Sequence, residues 1–120
     1  MKDHARRHGG VGLLLICGVL GVATAGPPDE LAKGKALYRG HCAACHGIDG
    51  RGNGPRGAGL VPPPTNFRDP AVRSGLTDSR LERALLAGKP GTAMKGYGTI
   101  LGREEVAALI AYLRSLAAPP

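Results

Sequence analysis

Bulky side chains are scarce in this sequence: among 120 residues there is no tryptophan, one phenylalanine, Phe67, and three tyrosines, Tyr38, Tyr97 and Tyr112. A domain of about this size is already short of core and commonly recruits a disulfide, a metal or another staple. With so few aromatics, the chain is expected to recruit something large. Its length excludes a two-domain enzyme with a cofactor fold of its own. The period-two alternation of a β-strand is missing, so an all-α fold is expected. Long apolar runs are missing as well: Val11 to Ala25 spans 15 residues, short of the roughly 20 that cross a bilayer. Acidic residues are outnumbered, nine Asp and Glu against sixteen Lys and Arg, for a net charge of +7.

The first 25 residues read as an export signal. Lys2, Arg6 and Arg7 form a basic start, Val11 to Val22 an apolar stretch, and Ala23-Thr24-Ala25 an A-x-A cleavage site. This order predicts a cleaved secretory signal peptide over 1–25 and a mature domain over 26–120. An uncleaved anchor is the weaker reading, because the apolar stretch is short. A lipoprotein cysteine at Cys17 is disfavoured, since Ile16 stands where a small residue is wanted. Arg6-Arg7 resembles a twin-arginine signal only weakly. The expected location is the periplasm, with Cys17 removed and Cys42 and Cys45 remaining. Thirteen basic and eight acidic residues stay with the mature part, a balance of +5.

In an oxidising compartment two cysteines suggest a disulfide, but the context of this pair argues otherwise. His41-Cys42-Ala43-Ala44-Cys45-His46-Gly47 contains C-x-x-C-H, the attachment pattern for a c-type haem. If the segment is helical, Cys42, Cys45 and His46 stand at i, i+3 and i+4 and share one face. Two thiols can then add to the vinyl groups of one porphyrin edge while the imidazole reaches the iron, and Ala43 and Ala44 keep the approach clear. A thioredoxin-like redox pair would need alternating strands and helices. Zinc wants four ligands, and His41, Cys42, Cys45 and His46 are crowded within six residues. A disulfide across two intervening residues needs no following histidine.

Haem iron in a carrier needs a second axial ligand. Met94 is the methionine left after cleavage, and it lies in a glycine-rich loop, Gly91-Thr92-Ala93-Met94-Lys95-Gly96-Tyr97-Gly98, with no apolar stripe to explain it as core. A thioether opposite His46 would give His/Met ligation, which raises the reduction potential. His41 is the rival ligand. Its place beside Cys42 puts it on the attachment edge, a poor starting point for the distal side.

Three amphipathic helices are expected to frame the motif. The first runs from about Glu30 to Arg39, with Asp29 as N-cap and Gly40 as stop; Leu31, Gly34, Leu37 and Tyr38 line one face. The second follows Thr77 to about Ala87 and is closed by Gly88, with Leu76 and Leu81 placed as a hydrophobic staple. The third runs from Arg103 to about Leu116, with Glu105 at N3, Leu101 and Val106 as a staple, and Val106, Leu109, Ile110 and Leu113 as its apolar face. Between them lie two long Gly- and Pro-rich stretches, Gly47 to Pro70 and Gly88 to Gly102, of a length that usually wraps or binds something. Asp49-Gly50-Arg51-Gly52-Asn53-Gly54 invites a calcium-loop reading, but Arg51 and Leu60 occupy positions that need acids. The glycines are read instead as backbone packed against a flat cofactor.

From about Asp29 to Leu116 the chain resembles a class I c-type cytochrome of the small bacterial monohaem kind. The resemblance is carried by Gly34 and Leu37-Tyr38, by Cys42 to Gly47, by Leu60-Val61-Pro62-Pro63-Pro64-Thr65-Asn66-Phe67, by Gly88 to Met94, and by Ala111-Tyr112-Leu113-Arg114-Ser115-Leu116. It implies a class I cytochrome c fold: three main helices and long loops wrapped around one covalent haem c with its iron. The cofactor-binding residues implied are Cys42, Cys45, His46, Met94 and Pro62, with His46 and Met94 on the metal. In that family the first and last helices cross tightly, so Gly34 and Tyr38 should meet Leu109 and Tyr112. A proline carbonyl orients the histidine ligand through its ring N–H, and Pro62 is the match. Two positions depart from the pattern: Lys95 follows the methionine where proline is common, and Asn66 precedes the aromatic where aspartate is common.

The implied function is one-electron transfer in the periplasm, not enzymatic turnover, since no base, nucleophile or substrate pocket accompanies the motif. One alternative is a cytochrome subunit of a periplasmic or membrane oxidoreductase complex. Another is a haem ligand sensor or peroxidase-like protein, which needs an open sixth position. Partners are expected to be redox proteins, not nucleic acid. Two haem propionates would lower the mature charge from +5 to about +3. Lys89 and Lys95 flank Met94, and Arg51 and Arg56 follow the attachment motif. Such a positive collar would steer an acidic docking surface and speed encounter.

Overall fold

The computed structural model describes residues 27–119. The expected leader, its expected cleavage site and Cys17 lie outside the described residues. Helix α1 spans Pro28–His41, α2 is the single turn Ala43–His46, α3 the short Pro70–Arg73, α4 Asp78–Ala87 and α5 Arg103–Ala117. A 3-10 turn at Pro55–Gly57 lies in the first long loop. Among the described residues there is no strand, only an isolated bridge between Gly88 and Lys95. No described helix is long and apolar enough to cross a membrane.

The three main helices stand where hydrophobic period and caps place them, with both ends of α1 redrawn. α1 starts at Pro28, after Pro27, and Asp29 lies in its first turn instead of capping it. Proline at the first helical position presets φ and sacrifices an N–H that would lack a partner anyway. Gly40 does not stop the helix: α1 continues through His41, and the Cys42 N–H still donates to the Tyr38 carbonyl at 2.8 Å. α4 is capped by the Thr77 side chain, which accepts from the Arg80 N–H, and it ends at Gly88 with φ 72°. Leu76 packs against the core beside buried Leu81. At the start of α5 the Glu105 carboxylate accepts from the Gly102 N–H at 2.8 Å, and Leu101 and Val106 are both buried.

The core sits where α1 crosses α5. Tyr38 and Leu109 are fully buried, with Leu81, Leu85, Leu113, Leu116 and Phe67 around them. The crossing is close because position 34 has no side chain. A Cβ there would stand 2.7 Å from the Ala108 carbonyl carbon and 2.9 Å from the Tyr112 Cβ. The Tyr38 and Tyr112 rings lie 5.3 Å apart, tilted by 58°, a spacing that favours edge contacts between aromatics. Gly34 thus meets Ala108 and Tyr112, with Leu109 packed around Tyr38 in the same core. Arg114 and Asp78 form an ion pair that ties α5 to α4.

The glycines of the first long loop pack differently from expectation. None of Gly47 to Gly59 lines the main cleft. A Cβ at Gly54 would stand 2.6 Å from the Ala43 carbonyl oxygen, and one at Gly57 would stand 2.7 Å from that of Cys45. The Gly52 and Gly54 N–H groups donate to the carbonyls of His46 and Cys45, at 2.7 and 3.0 Å. The loop folds over the back of α2 and satisfies carbonyls that a one-turn helix leaves without partners.

Candidate functional site

The attachment motif is held as an almost unbroken continuation of α1. Cys42 keeps a helix-like backbone, φ −118° and ψ −35°, and its carbonyl accepts from the His46 N–H at 2.9 Å. Cys42, Cys45 and His46 therefore project from one side of a single turn. Both thiols are free and half-buried. Gly47 then takes φ 82°, a left-handed conformation that glycine adopts without steric cost. Its carbonyl accepts from the buried Tyr38 hydroxyl at 2.6 Å, which locks the exit of the motif onto the core.

His46 is held from two sides. Its Nδ1 lies 3.1 Å from the Thr65 carbonyl oxygen, and its ring stacks on Phe67 at 5.0 Å and 28°. A carbonyl only accepts, so Nδ1 carries the hydrogen and Nε2 of the neutral ring keeps a free lone pair. Burial lowers the imidazole pKa, opposed by the Thr65 bond and assisted by the positive charge of Lys89; this favours the neutral ring that binds metals. The carbonyl role expected of Pro62 belongs to Thr65. The Phe67 N–H donates to the Gly50 carbonyl at 2.8 Å, which anchors this end of the loop beside the attachment turn and brings residue 65 to the ring. Pro62 lines the same cleft without making that bond.

Met94 is offered from the second long loop. The Lys89 N–H donates to the Met94 carbonyl at 3.0 Å. The Met94 N–H donates to the Thr92 hydroxyl oxygen at 3.2 Å, and that hydroxyl donates to the Lys89 carbonyl at 2.7 Å. Three residues on, the Tyr97 N–H donates to the Leu85 carbonyl at 2.7 Å, and the Tyr97 hydroxyl reaches the His41 carbonyl at 3.0 Å. The His41 ring lies edge-on to Tyr97, centroids 5.6 Å apart. Burial, with the nearby thiols of Cys42 and Cys45, raises the Tyr97 pKa, so the phenol stays a donor.

These parts surround a cleft region of two hollows that share lining residues, of about 850 and 190 Å³. The larger is within the size range of cofactor sites, roughly 300–1,000 Å³. Cys42, His46, Thr65, Lys89 and Met94 line both hollows. Cys45, Pro62 and His41 line the smaller one, whose basic rim is Arg56, Lys89 and Lys95. Arg51 lines neither hollow. Burial, with Cys45 alongside, pushes the Cys42 thiol up to about 11, so it is protonated at neutral pH. The donor set fits a covalently attached haem: two unpaired thiols on one turn, an imidazole with one nitrogen already bonded, and a thioether lining the same cleft. Thr65 and Tyr97 are the functional candidates that spacing did not reveal. For Tyr97 a signal existed, the one aromatic of the loop, three residues past the methionine.

Comparison with known proteins agrees with this geometry. The sequence model of the family described as Cytochrome c matches residues 31–117. The chain is 33% identical over 102 residues to cytochrome c55X of Paracoccus denitrificans, covering 83% of this chain and 89% of that protein. It is 33% identical over 89 residues to cytochrome c-554(547) of Halothiobacillus neapolitanus, covering 72% and 97%. It is also 37% identical over 111 residues to the dihydro-heme d1 dehydrogenase of Pseudomonas aeruginosa, covering 92% of this chain but only 19% of that longer protein. Among solved structures, the KustC0563 c-type cytochrome matches with TM-score 0.59 and 29% identity over 71% of this chain and 98% of its own. A chain of the Kuenenia stuttgartiensis reducing HAO-like protein complex matches with TM-score 0.60 and 29% identity over 70% of this chain and 41% of its own. With an all-helical frame, a haem-attachment turn and relatives of matching length, the chain belongs to the cytochrome c family, a class I c-type cytochrome with a covalently attached haem and a role in electron transfer.

Proposed function

We propose that this protein is an exported, periplasmic one-electron carrier. Its leader is removed after Ala25, its haem is bound through Cys42 and Cys45, and the iron is held by His46 and Met94. The observation that carries the reading is the convergence of these four side chains on one cleft. When bound, the haem supplies a one-electron ferric/ferrous couple, and His/Met ligation raises its potential. The chain's own groups do the rest. Thr65 holds the Nδ1 hydrogen of His46, which fixes the ring and raises the basicity of Nε2. Phe67 backs the imidazole face. Met94 fills the position that a small ligand would otherwise take, which separates a carrier from a sensor or peroxidase. Arg56, Lys89 and Lys95 give the rim a positive field suited to an acidic partner.

The test is mass and redox titration of the exported protein. The expected product is the chain from Gly26 plus one haem, resistant to acidified organic solvent, titrating as a single one-electron couple. Haem that extracts, or a couple that needs two electrons, would contradict the reading.

A second reading is favoured by the lengths of the relatives. The chain matches 19% of a dehydrogenase and 41% of a complex-forming protein, so the same unit serves inside larger redox proteins. A subunit role predicts co-purification with an oxidoreductase from periplasm or membranes. A free carrier predicts elution as a monomer.

A further inference from the structure

The loop that carries Met94 is fastened firmly to one neighbour and lightly to another. On the α4 side it is held by backbone: the Tyr97 and Gly98 N–H groups donate to the Leu85 and Leu86 carbonyls at 2.7 and 3.1 Å. Within the loop, Gly88 and Lys95 pair as a bridge. Toward the attachment motif the situation differs. Among the described residues, one side-chain hydrogen bond joins this loop to the segment that leads into the motif, from the Tyr97 hydroxyl to the His41 carbonyl at 3.0 Å. His41 immediately precedes Cys42, and the two bonded residues are 56 positions apart.

We propose that Tyr97 is a positioning residue for the methionine ligand: by tying the Met94 loop to the carbonyl of His41, it fixes how far Met94 stands from the attachment turn that carries His46. The proposal rests on His/Met ligation. It gives the bond a role beyond stability. α4 positions one end of the loop, but α4 is not part of the attachment turn. Without a strut across the cleft, the separation between Met94 and His46 would follow the independent fluctuation of two elements. Tyr97 supplies that strut, since its backbone is anchored on α4 while its hydroxyl grips the chain beside the first thiol. The ring adds an edge contact to the His41 imidazole, which also keeps His41 at the rim.

Purified holoprotein of wild type, Tyr97→Phe, Met94→Ala and Thr77→Ala separates the possibilities. Two quantities are read: the long-wavelength sulfur-to-iron absorption band of the ferric form, and the affinity of added imidazole for ferric iron. Tyr97→Phe keeps the ring and removes one hydrogen bond, worth about 0.5–1.5 kcal/mol. It should weaken the band and tighten imidazole binding roughly two- to thirteenfold, the same range expressed as an equilibrium ratio. Thr77→Ala destabilises α4 at its far end, outside the loop, and should leave both readings near wild type. If Tyr97→Phe lowers only the melting temperature, with band and imidazole affinity unchanged, Tyr97 is structural and the proposal fails. A Thr77→Ala effect as large as that of Tyr97→Phe overturns it too, because general loosening would then suffice. Met94→Ala guards the underlying assignment. If that variant keeps the wild-type band and affinity, His/Met ligation is wrong; if it loses the band while Tyr97→Phe does not, only the positioning role is wrong.

Discussion

At the scale of single residues, chemistry here depends on groups whose partners leave them one thing to do. His46 has Nδ1 bonded to Thr65, so Nε2 alone is available to iron. Met94 is a thioether with no core to fill. Met94→Ala should leave the haem attached through Cys42 and Cys45, lower the reduction potential, and let the ferrous protein bind carbon monoxide. Redox titration and the carbon monoxide difference spectrum check this; a wild type that binds the gas as readily as the variant would remove Met94 from the iron. Tyr38 is a residue of the core. Burial is the main cause of its raised pKa, with Cys42, Tyr112 and Asp49 adding to it. The sign of the pH effect follows. The folded form holds the phenol proton above the ordinary value of 10.0, so this contribution to stability is complete below that pH. It is lost as pH rises toward the folded value. Tyr38→Phe should destabilise by about 1–3 kcal/mol, because the Gly47 carbonyl loses its buried donor. It should also flatten the alkaline fall in unfolding free energy by up to ~1.4 kcal/mol per pH unit. Equal alkaline slopes in denaturant titrations of both proteins would contradict the assignment.

At the scale of elements, the crossing of α1 and α5 decides whether the attachment turn is delivered to the cleft at all. That crossing has no room for a side chain at position 34, where the obstacle is the backbone of Ala108 and the Tyr112 Cβ. Backbone cannot rotate away as a flexible side chain can. Gly34→Ala should therefore cost at least the ~1–3 kcal/mol typical of overpacking. For a domain of this size each kcal/mol lowers the melting temperature by about 4–8 °C. Thermal unfolding of the holoprotein is the measurement; an unshifted midpoint would mean that the helices separate without cost. The helices themselves were legible in the sequence, because a period of 3.6 and a terminal cap are local properties. Thr77 and Gly88 bound α4 as expected. α1 ran past Gly40 because the attachment turn continues its hydrogen bonding.

At the scale of the whole molecule, scarce aromatics and a large cleft have one consequence: the protein chain alone is an incomplete core. A Cys42→Ala/Cys45→Ala variant, exported without attached haem, should be largely unfolded by circular dichroism, because cofactor binding and folding are coupled as at structural metal sites. Near-native helix content would refute this. The rim of Arg56, Lys89 and Lys95 leads to a kinetic expectation. Electron transfer with an acidic partner should slow as salt rises, since screening shortens the reach of exposed charges to about 8–10 Å. Lys89→Glu with Lys95→Glu should slow association while nearly preserving the potential. Stopped-flow rates insensitive to both changes would point to an apolar docking face.

Whatever depends on neighbours along the chain can be read from the order of residues. C-x-x-C-H places two thiols and an imidazole on one helical turn wherever that turn sits, and the periods of α1, α4 and α5 mark their buried faces. Which distant groups meet depends on how the folded core places the loops. Pro62 and Thr65 are three positions apart in a stretch without helix or strand, and the anchoring of Phe67 on Gly50 helps turn the Thr65 carbonyl toward His46. Glycines that suit a flat cofactor suit the back of α2 equally well, and the fold of the loop chose the latter. The grip of Tyr97 on His41 spans 56 positions, through loops without periodicity. Local geometry repeats along a chain and can be read from it, whereas contacts between irregular segments exist only once the core has fixed where those segments lie.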